Sequence, residues 1–285
     1  MLNRNKKYLI TGGSGFLGAA LIRRLWDDGC RKLRVVARNE GQLVKLKEKY
    51  PEIEIITGDI VDPFTCEKAC HGVDAVFHLA AFKHVGLAEE NVRTCIDSNL
   101  IGSLNLLKAS LWRNFDFIIG ISTDKAAKVS GVYGATKMLM ERMFKEYQSI
   151  NPDTEYRIVR YGNILYSTGS VLCKWKEKLE RGEEVIITDP DATRFYWTVD
   201  QAVDLIFDCI ENAEDAKPYV PEMKSLCVGD LLVAMAAEYL PDDKELKIKT
   251  IGLQEGENMH EKITEDGLDS SQTEQYNLEQ IKKMI

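Results

Sequence analysis

Two groups within the sixteen positions from Ser122 to Lys137 hold a carboxylate, two amines, a phenol and several hydroxyls. They are Ser122-Thr123-Asp124-Lys125 and, eight residues after Lys125, Tyr133-Gly134-Ala135-Thr136-Lys137. A tyrosine and a lysine four apart share a helix face. An ammonium near a phenol stabilises the phenolate and lowers its pKa. Such a tyrosine can take a hydroxyl proton while hydride leaves the carbon. Asp124 and Lys125 add a second acid/base pair, or a solvated charge pair at a strand end. Their opposite charges couple their titrations, so roles cannot be assigned from ordinary pKa values.

These groups need a frame. The apolar run Phe117–Ile121 precedes them and a helical stretch, Met138 to Tyr147, follows. Upstream, short apolar runs alternate with helical patterns. Strands are expected at Tyr8–Ile10, Leu33–Ala37, Ile53–Ile56, Ala75–Leu79, Phe117–Ile121 and Tyr156–Arg160. Helices are expected at Phe16–Trp26 and, as one long element, Asn91–Trp112. Continuous apolar strands between helices predict a parallel sheet covered on both faces. Such sheets take ligands at strand ends.

After about Asn163 the pattern loosens. Helices are expected at Val171–Arg181, Val199–Asn212 and Val228–Leu240, and strands at Val185–Ile187 and Leu246–Ile251. Pro218 and Pro221 mark a loop, and the polar tail from Asp266 reads as poorly ordered. The fold class expected is α/β, a Rossmann-type doubly wound parallel sheet with a smaller C-terminal lobe. Residues 1–165 form its cofactor-binding part and 166–285 its substrate lobe, interleaved as one folding unit.

Thr11-Gly12-Gly13-Ser14-Gly15-Phe16-Leu17-Gly18 stands between the first strand and the first helix. Glycines there let the backbone turn sharply and approach a pyrophosphate seated on the helix N-terminus. The flanking strand and helix distinguish this loop from a plain tight turn. At the end of the second strand, Arg38-Asn39 replaces the acidic residue that would hold a ribose 2′-hydroxyl, which points to NADP. Expected cofactor contacts are Gly12, Ser14, Gly15, Phe16, Leu17, Arg38, Asn39, Asp59, Ile60, Ala80, Ala81, Lys83, Asn99, Tyr133, Lys137 and Tyr161. His78, inside a strand, reads as a packed core histidine.

Composition narrows the partners. The chain is 45% hydrophobic and 29% charged, with net charge −8, which argues against a nucleic-acid backbone as main partner. The seven cysteines include no C-x-x-C pair and read as reduced thiols, with no metal site. No signal peptide or membrane-length apolar run is seen, so a soluble cytoplasmic protein is expected.

Together these motifs resemble the extended short-chain dehydrogenase/reductase superfamily. Within it, Ser122-Thr123-Asp124-Lys125-Ala126-Ala127 followed by Tyr133-x-x-x-Lys137 is similar to the CapD-like inverting UDP-N-acetylglucosamine 4,6-dehydratases of polysaccharide biosynthesis. Ala80-Ala81-Phe82-Lys83-His84-Val85, Val159-Arg160-Tyr161-Gly162-Asn163, Thr188-Asp189, Thr193-Arg194-Phe195, Gly256-Glu257 and His260-Glu261 match as well. The matches run from residue 8 to about 262, nearly the whole chain.

The resemblance implies catalysis by Thr123, Asp124, Lys125, Tyr133 and Lys137. Tyr133 and Lys137 serve oxidation at C4, Lys125 is the C5 base, and Asp124 is the acid assisting loss of the C6 hydroxyl. NADP takes the hydride and returns it. The membrane-anchored retaining dehydratases tend to carry methionine at the place of Tyr133, which favours the inverting branch. Substrate contacts are expected from Lys83, His84, Asn163, Ser170, Arg194 and Glu257, with Arg194 as diphosphate clamp. A homo-oligomer, dimer or larger, is also implied.

Three positions depart from the pattern. Thr168, Gln254 and Asn258 replace basic residues of relatives, so the reaction is better marked than the sugar. Two other classes stay open: a nucleotide-sugar epimerase or reductase using Tyr133 and Lys137, and a non-catalytic NADP-sensing binding protein.

Overall fold

The computed structural model describes residues 2–285. Among them are twelve strands: β1 (Tyr8–Thr11), β2 (Leu33–Ala37), β3 (Glu54–Thr57), β4 (Ala75–His78), β5 (Phe117–Thr123), β6 (Glu155–Tyr161), β7 (Asn163–Ile164), β8 (Val185–Ile187), β9 (Thr193–Trp197), β10 (Pro218–Tyr219), β11 (Ser225–Cys227) and β12 (Ile248–Thr250). Seven of these form one sheet in the order β10-β6-β5-β4-β1-β2-β3, and every pairing is parallel. This is the doubly wound Rossmann-type arrangement. The chain leaves β1 toward β2 on one side and places β4 on the other. Their carboxyl ends therefore open a crevice, where such sheets bind ligands.

The core explains the continuous apolar strands. Leu9 and Ile10 of β1 are both fully buried but lie in different apolar clusters, one on each sheet face. A strand covered on both sides has no polar face to alternate with.

Several elements differ from the sequence expectation. The long helix over 91–112 is instead a helix Val92–Ile96, a wider i→i+5 turn at Asp97–Ile101, and a helix Gly102–Ser110. A further short helix, Val85–Glu90, precedes it. The loop around Pro218 contains β10, which pairs with β6 at the sheet edge. Proline is tolerated there because an edge strand needs fewer ladder donors. The tail from Asp266 is anchored rather than loose: Ser270 and Ile281 are fully buried, and the helix Leu278–Met284 carries an Asn277–Gln280 capping box.

Beyond β6 a three-stranded sheet, β11-β9-β7, and a β12-β8 pair support a third apolar cluster around Trp175 and Leu231. The helix Val199–Asn212 returns to the large sheet, where Ala202, Val203 and Ile206 join the same cluster as Ile10. Among the described residues, no helix is long and apolar enough to cross a membrane.

Candidate active site

A cleft of about 620 Å³ lies over the β1/β4 crevice. Its floor begins at Gly12, whose φ of +67° favours glycine. A Cβ there would come within 2.8 Å of the Ala80 backbone, so β1 and β4 can approach closely only without one. The helix Phe16–Asp27 starts at Gly15 with no side-chain cap. Its first N–H groups thus remain available to an anion. Ser14, Gly15, Phe16 and Leu17 line the cleft beside them.

Arg38, Asn39, Asp59 and Ile60 form the far end of the same cleft. Arg38 is largely exposed, 3.5 Å from the Asp59 carboxylate. That position matches the 2′ side of a dinucleotide ribose. Ala80, Ala81, Lys83, His84, Tyr161 and Asn163 line the other end with Thr123, Lys125, Tyr133 and Lys137. The Tyr161 hydroxyl is buried with no protein partner, a polar atom suited to a bound group.

A buried polar chain sets the loop after β4. The Ala80 N–H donates to Thr11 Oγ1 (3.1 Å), which lies 2.8 Å from His78 Nδ1, and His78 Nε2 lies 2.8 Å from Ser103 Oγ. Ser103 donates its own proton to the Asn99 carbonyl. The network therefore assigns the histidine proton to Nε2 and makes Nδ1 the acceptor of the Thr11 hydroxyl. Burial, with Lys137 adding to it, lowers His78 to about 3, so the ring is neutral.

The acid/base residues come from three elements. Thr123 ends β5, Asp124 and Lys125 lie on one helical turn after it, and Tyr133 and Lys137 are on the helix Val132–Ile150. Gly134 lets that helix press against the turn: a Cβ would collide with the Lys125 carbonyl oxygen. Asp124 is fully buried, accepting the Thr123 hydroxyl (2.8 Å) and the Lys125 ammonium (3.1 Å) on Oδ1, while Oδ2 has no partner. Burial raises its pKa, and nearby Glu261 adds to the rise. Burial alone would lower Lys125, but Asp124 and Glu261 overcome it and hold the ammonium above its ordinary value.

The structure differs from the expected Tyr133–Lys137 coupling. Burial pushes the Tyr133 phenol up to about 12, and the groups opposing that rise are Lys125 and the Thr123 hydroxyl. Lys137 points elsewhere, donating to the Ile121 carbonyl at 2.8 Å. Burial lowers it to about 8, against the pull of Glu141 and Cys95. Beneath them, Glu141 makes two hydrogen bonds with buried Arg160 (3.0 and 2.6 Å) and accepts the Ser122 hydroxyl.

Four expected contact residues stand outside the cleft lining, as does buried Asp124. Asn99 is buried and binds the Phe82 backbone instead. Ser170 precedes the helix Val171–Glu180, 3.6 Å from Cys173 Sγ, while Ser167 faces the cleft. Arg194 is nine-tenths buried and donates to the Thr193 and Met259 carbonyls, each at 2.9 Å. Both bonds come from Nη1. The Glu257 carboxylate accepts the Gln254 N–H in its own loop. Sequence reasoning gave Glu261 no role, yet its carboxylate lies 3.4 Å from Lys125.

A family model described as polysaccharide biosynthesis protein matches residues 8–283. The chain belongs to the polysaccharide biosynthesis protein family. Among this member's relatives is an uncharacterized membrane protein, MJ1061, of Methanocaldococcus jannaschii, 34% identical over 99% of this chain and 85% of the relative. The inverting UDP-N-acetylglucosamine 4,6-dehydratase of Campylobacter jejuni subsp. jejuni serotype O:2 is 32% identical over 92% of this chain and 78% of the relative. A crystal structure of Pen from Bacillus thuringiensis superposes with a TM-score of 0.88 at 28% identity, covering 93% of this family member and 85% of that chain.

Proposed function

We propose that this protein is an NADP-dependent nucleotide-sugar 4,6-dehydratase, acting on UDP-N-acetylglucosamine with inversion at C5. The observation carrying this reading is the Asp124–Lys125 pair, 3.1 Å apart, on a turn packed against the helix of Tyr133 and Lys137. Oxidation alone does not need that pair, whereas elimination needs an acid and a base together. The likeness to the Campylobacter jejuni enzyme supports the same choice.

Gly12, Ser14, Gly15, Phe16 and Leu17 would hold the cofactor pyrophosphate, and Arg38 and Asn39 its 2′-phosphate. When bound, NADP supplies a hydride acceptor and a positive charge that favours phenolate. Tyr133 takes the C4 hydroxyl proton, with Lys125 opposing the rise that burial imposes on its phenol.

Lys125 begins as an ammonium, the wrong state for a base. A proton shift from Lys125 Nζ to Asp124 Oδ1 across their 3.1 Å contact gives an amine and a carboxylic acid. Lys125 then removes the C5 proton while Asp124 protonates the departing C6 hydroxyl. The C5–H and C6–O bonds break, a C5–C6 double bond forms and water leaves. Lys125 and Asp124 finish as the original ion pair. In this reading residues 1–165 carry the cofactor and 166–285 the substrate lobe.

The test is product analysis after incubation with UDP-N-acetylglucosamine and NADP in deuterated water. A 4-keto-6-deoxy sugar, lighter by one water and deuterated at C5, is expected. A C4 epimer of unchanged composition would establish the epimerase class and sink the dehydratase reading. Cofactor binding without turnover would leave a sensing role.

A further inference from the structure

Lys125 is held from two sides. Asp124 Oδ1 lies 3.1 Å from its Nζ and Glu261 Oε1 lies 3.4 Å away on the other. Glu261 is only 1% exposed and its Oε1 has no other partner. A carboxylate is not buried this way without compensation.

The carboxylate is also aimed by its surroundings. The Glu261 N–H donates to Ser270 Oγ at 2.9 Å, the Ser270 N–H returns a bond to the Glu261 carbonyl at 2.8 Å, and Asn258 Nδ2 donates to Oε2 at 3.1 Å. Asn258 reaches across to Ser130 Oγ as well (3.1 Å), so the segment is stitched to the loop just before Tyr133.

We propose that Glu261 is a positioning residue that backs Lys125, fixing its amine toward the cleft and stabilising the ammonium that forms as C5–H is taken. The inference rests on the dehydratase reading. It follows the logic of a buried carboxylate behind a catalytic base, which steadies the charge appearing on that base without being protonated itself.

The charge environment agrees. Burial would raise Glu261, but Lys125 and Arg194 overcome it and keep it ionised. The groups facing the triad are Tyr133 from the helix side and Arg194 and Tyr196 from β9. Glu261 supplies the negative charge on Lys125 beyond that of Asp124. That charge raises Lys125 and Asp124 together, making the first a stronger base and keeping the second an acid.

The test is the Glu261→Gln variant, which keeps shape and loses charge, with Glu261→Asp as the conservative control. In the free protein, the Lys125 side-chain signal followed by NMR should titrate at lower pH in Glu261→Gln, by about one unit or more. In turnover, both limbs of the pH profile for water loss should move to lower pH, with a roughly tenfold or greater drop at alkaline pH. Glu261→Asp should recover most of the wild-type profile. Cofactor affinity should not change. An unmoved Lys125 titration in a folded Glu261→Gln protein overturns the inference. So does an equal loss at every pH with no recovery by Asp, because that marks a merely structural role. If wild type makes no dehydrated product but the titration still moves, the reaction proposal fails and the coupling stands.

Discussion

Asn99 grips Phe82 at both polar atoms of its backbone: Oδ1 accepts the Phe82 N–H at 2.8 Å and Nδ2 donates to the Phe82 carbonyl at 3.0 Å. The wider turn at Asp97–Ile101 holds this side chain, and its grip sets the loop carrying Ala80, Ala81 and Lys83 along the cleft. Wider turns inside helices often mark functional sites. Asn99→Leu keeps the bulk and removes both bonds. Leaving buried backbone groups unpaired costs about 1–3 kcal/mol each. Thermal unfolding should fall, and calorimetric titration should show weaker dinucleotide binding.

Lys125→Ala should abolish water loss while leaving cofactor binding intact, because the glycine loop and Arg38 lie at the other end of the cleft. Asp124→Asn should slow the same step by roughly 10²–10⁴-fold. Rapid-mixing absorbance of the reduced nicotinamide separates oxidation from elimination. Equal loss of both steps would refute the division of labour.

Arg38→Ala should weaken NADP by roughly tenfold or more and leave NAD nearly unchanged, since only the 2′-phosphate calls for a guanidinium. Asp59, 3.5 Å from Arg38, is the reason to expect some NAD binding even in wild type. Parallel titrations with the two cofactors measure the ratio. An unaltered ratio would remove Arg38 from cofactor choice.

Lys137 gives a pH prediction. Its pKa is depressed by burial to about 8, so the ammonium prevails below that pH and is lost above it. If the ammonium holds the nicotinamide ribose, cofactor affinity falls as pH rises through about 8. Lys137→Gln should flatten that dependence. Titrations from about pH 6 to about pH 10 cover both states.

The sheet was readable because its strands are apolar runs such as Ile118-Ile119, buried on both faces. β9 escaped notice because Thr193 and Arg194 look polar, although both are buried and bonded within the lobe. β10 has two residues, one a proline, too short to leave a periodic signal. The cleft residues were legible where chemistry and local sequence coincide, as in the glycine loop and at Tyr133. Glu261 was not, because its partner Lys125 lies far upstream and no local pattern records a meeting in space. The bare motif also misplaced the charge acting on Tyr133: spacing puts Lys137 on the helix face of the tyrosine, but packing turns its amine to Ile121.

The stitching of Asn258 to Ser130 and of Glu261 to Lys125 has a consequence for biosynthesis. The glycine loop and the acid/base turn leave the ribosome well before Glu261, the second carboxylate beside Lys125. A chain ending before residue 261 would contain the glycine loop and the Asp124–Lys125 pair but lack the second carboxylate on Lys125. On the dehydratase reading, the elimination chemistry thus depends on a segment made long after the acid/base turn it steadies.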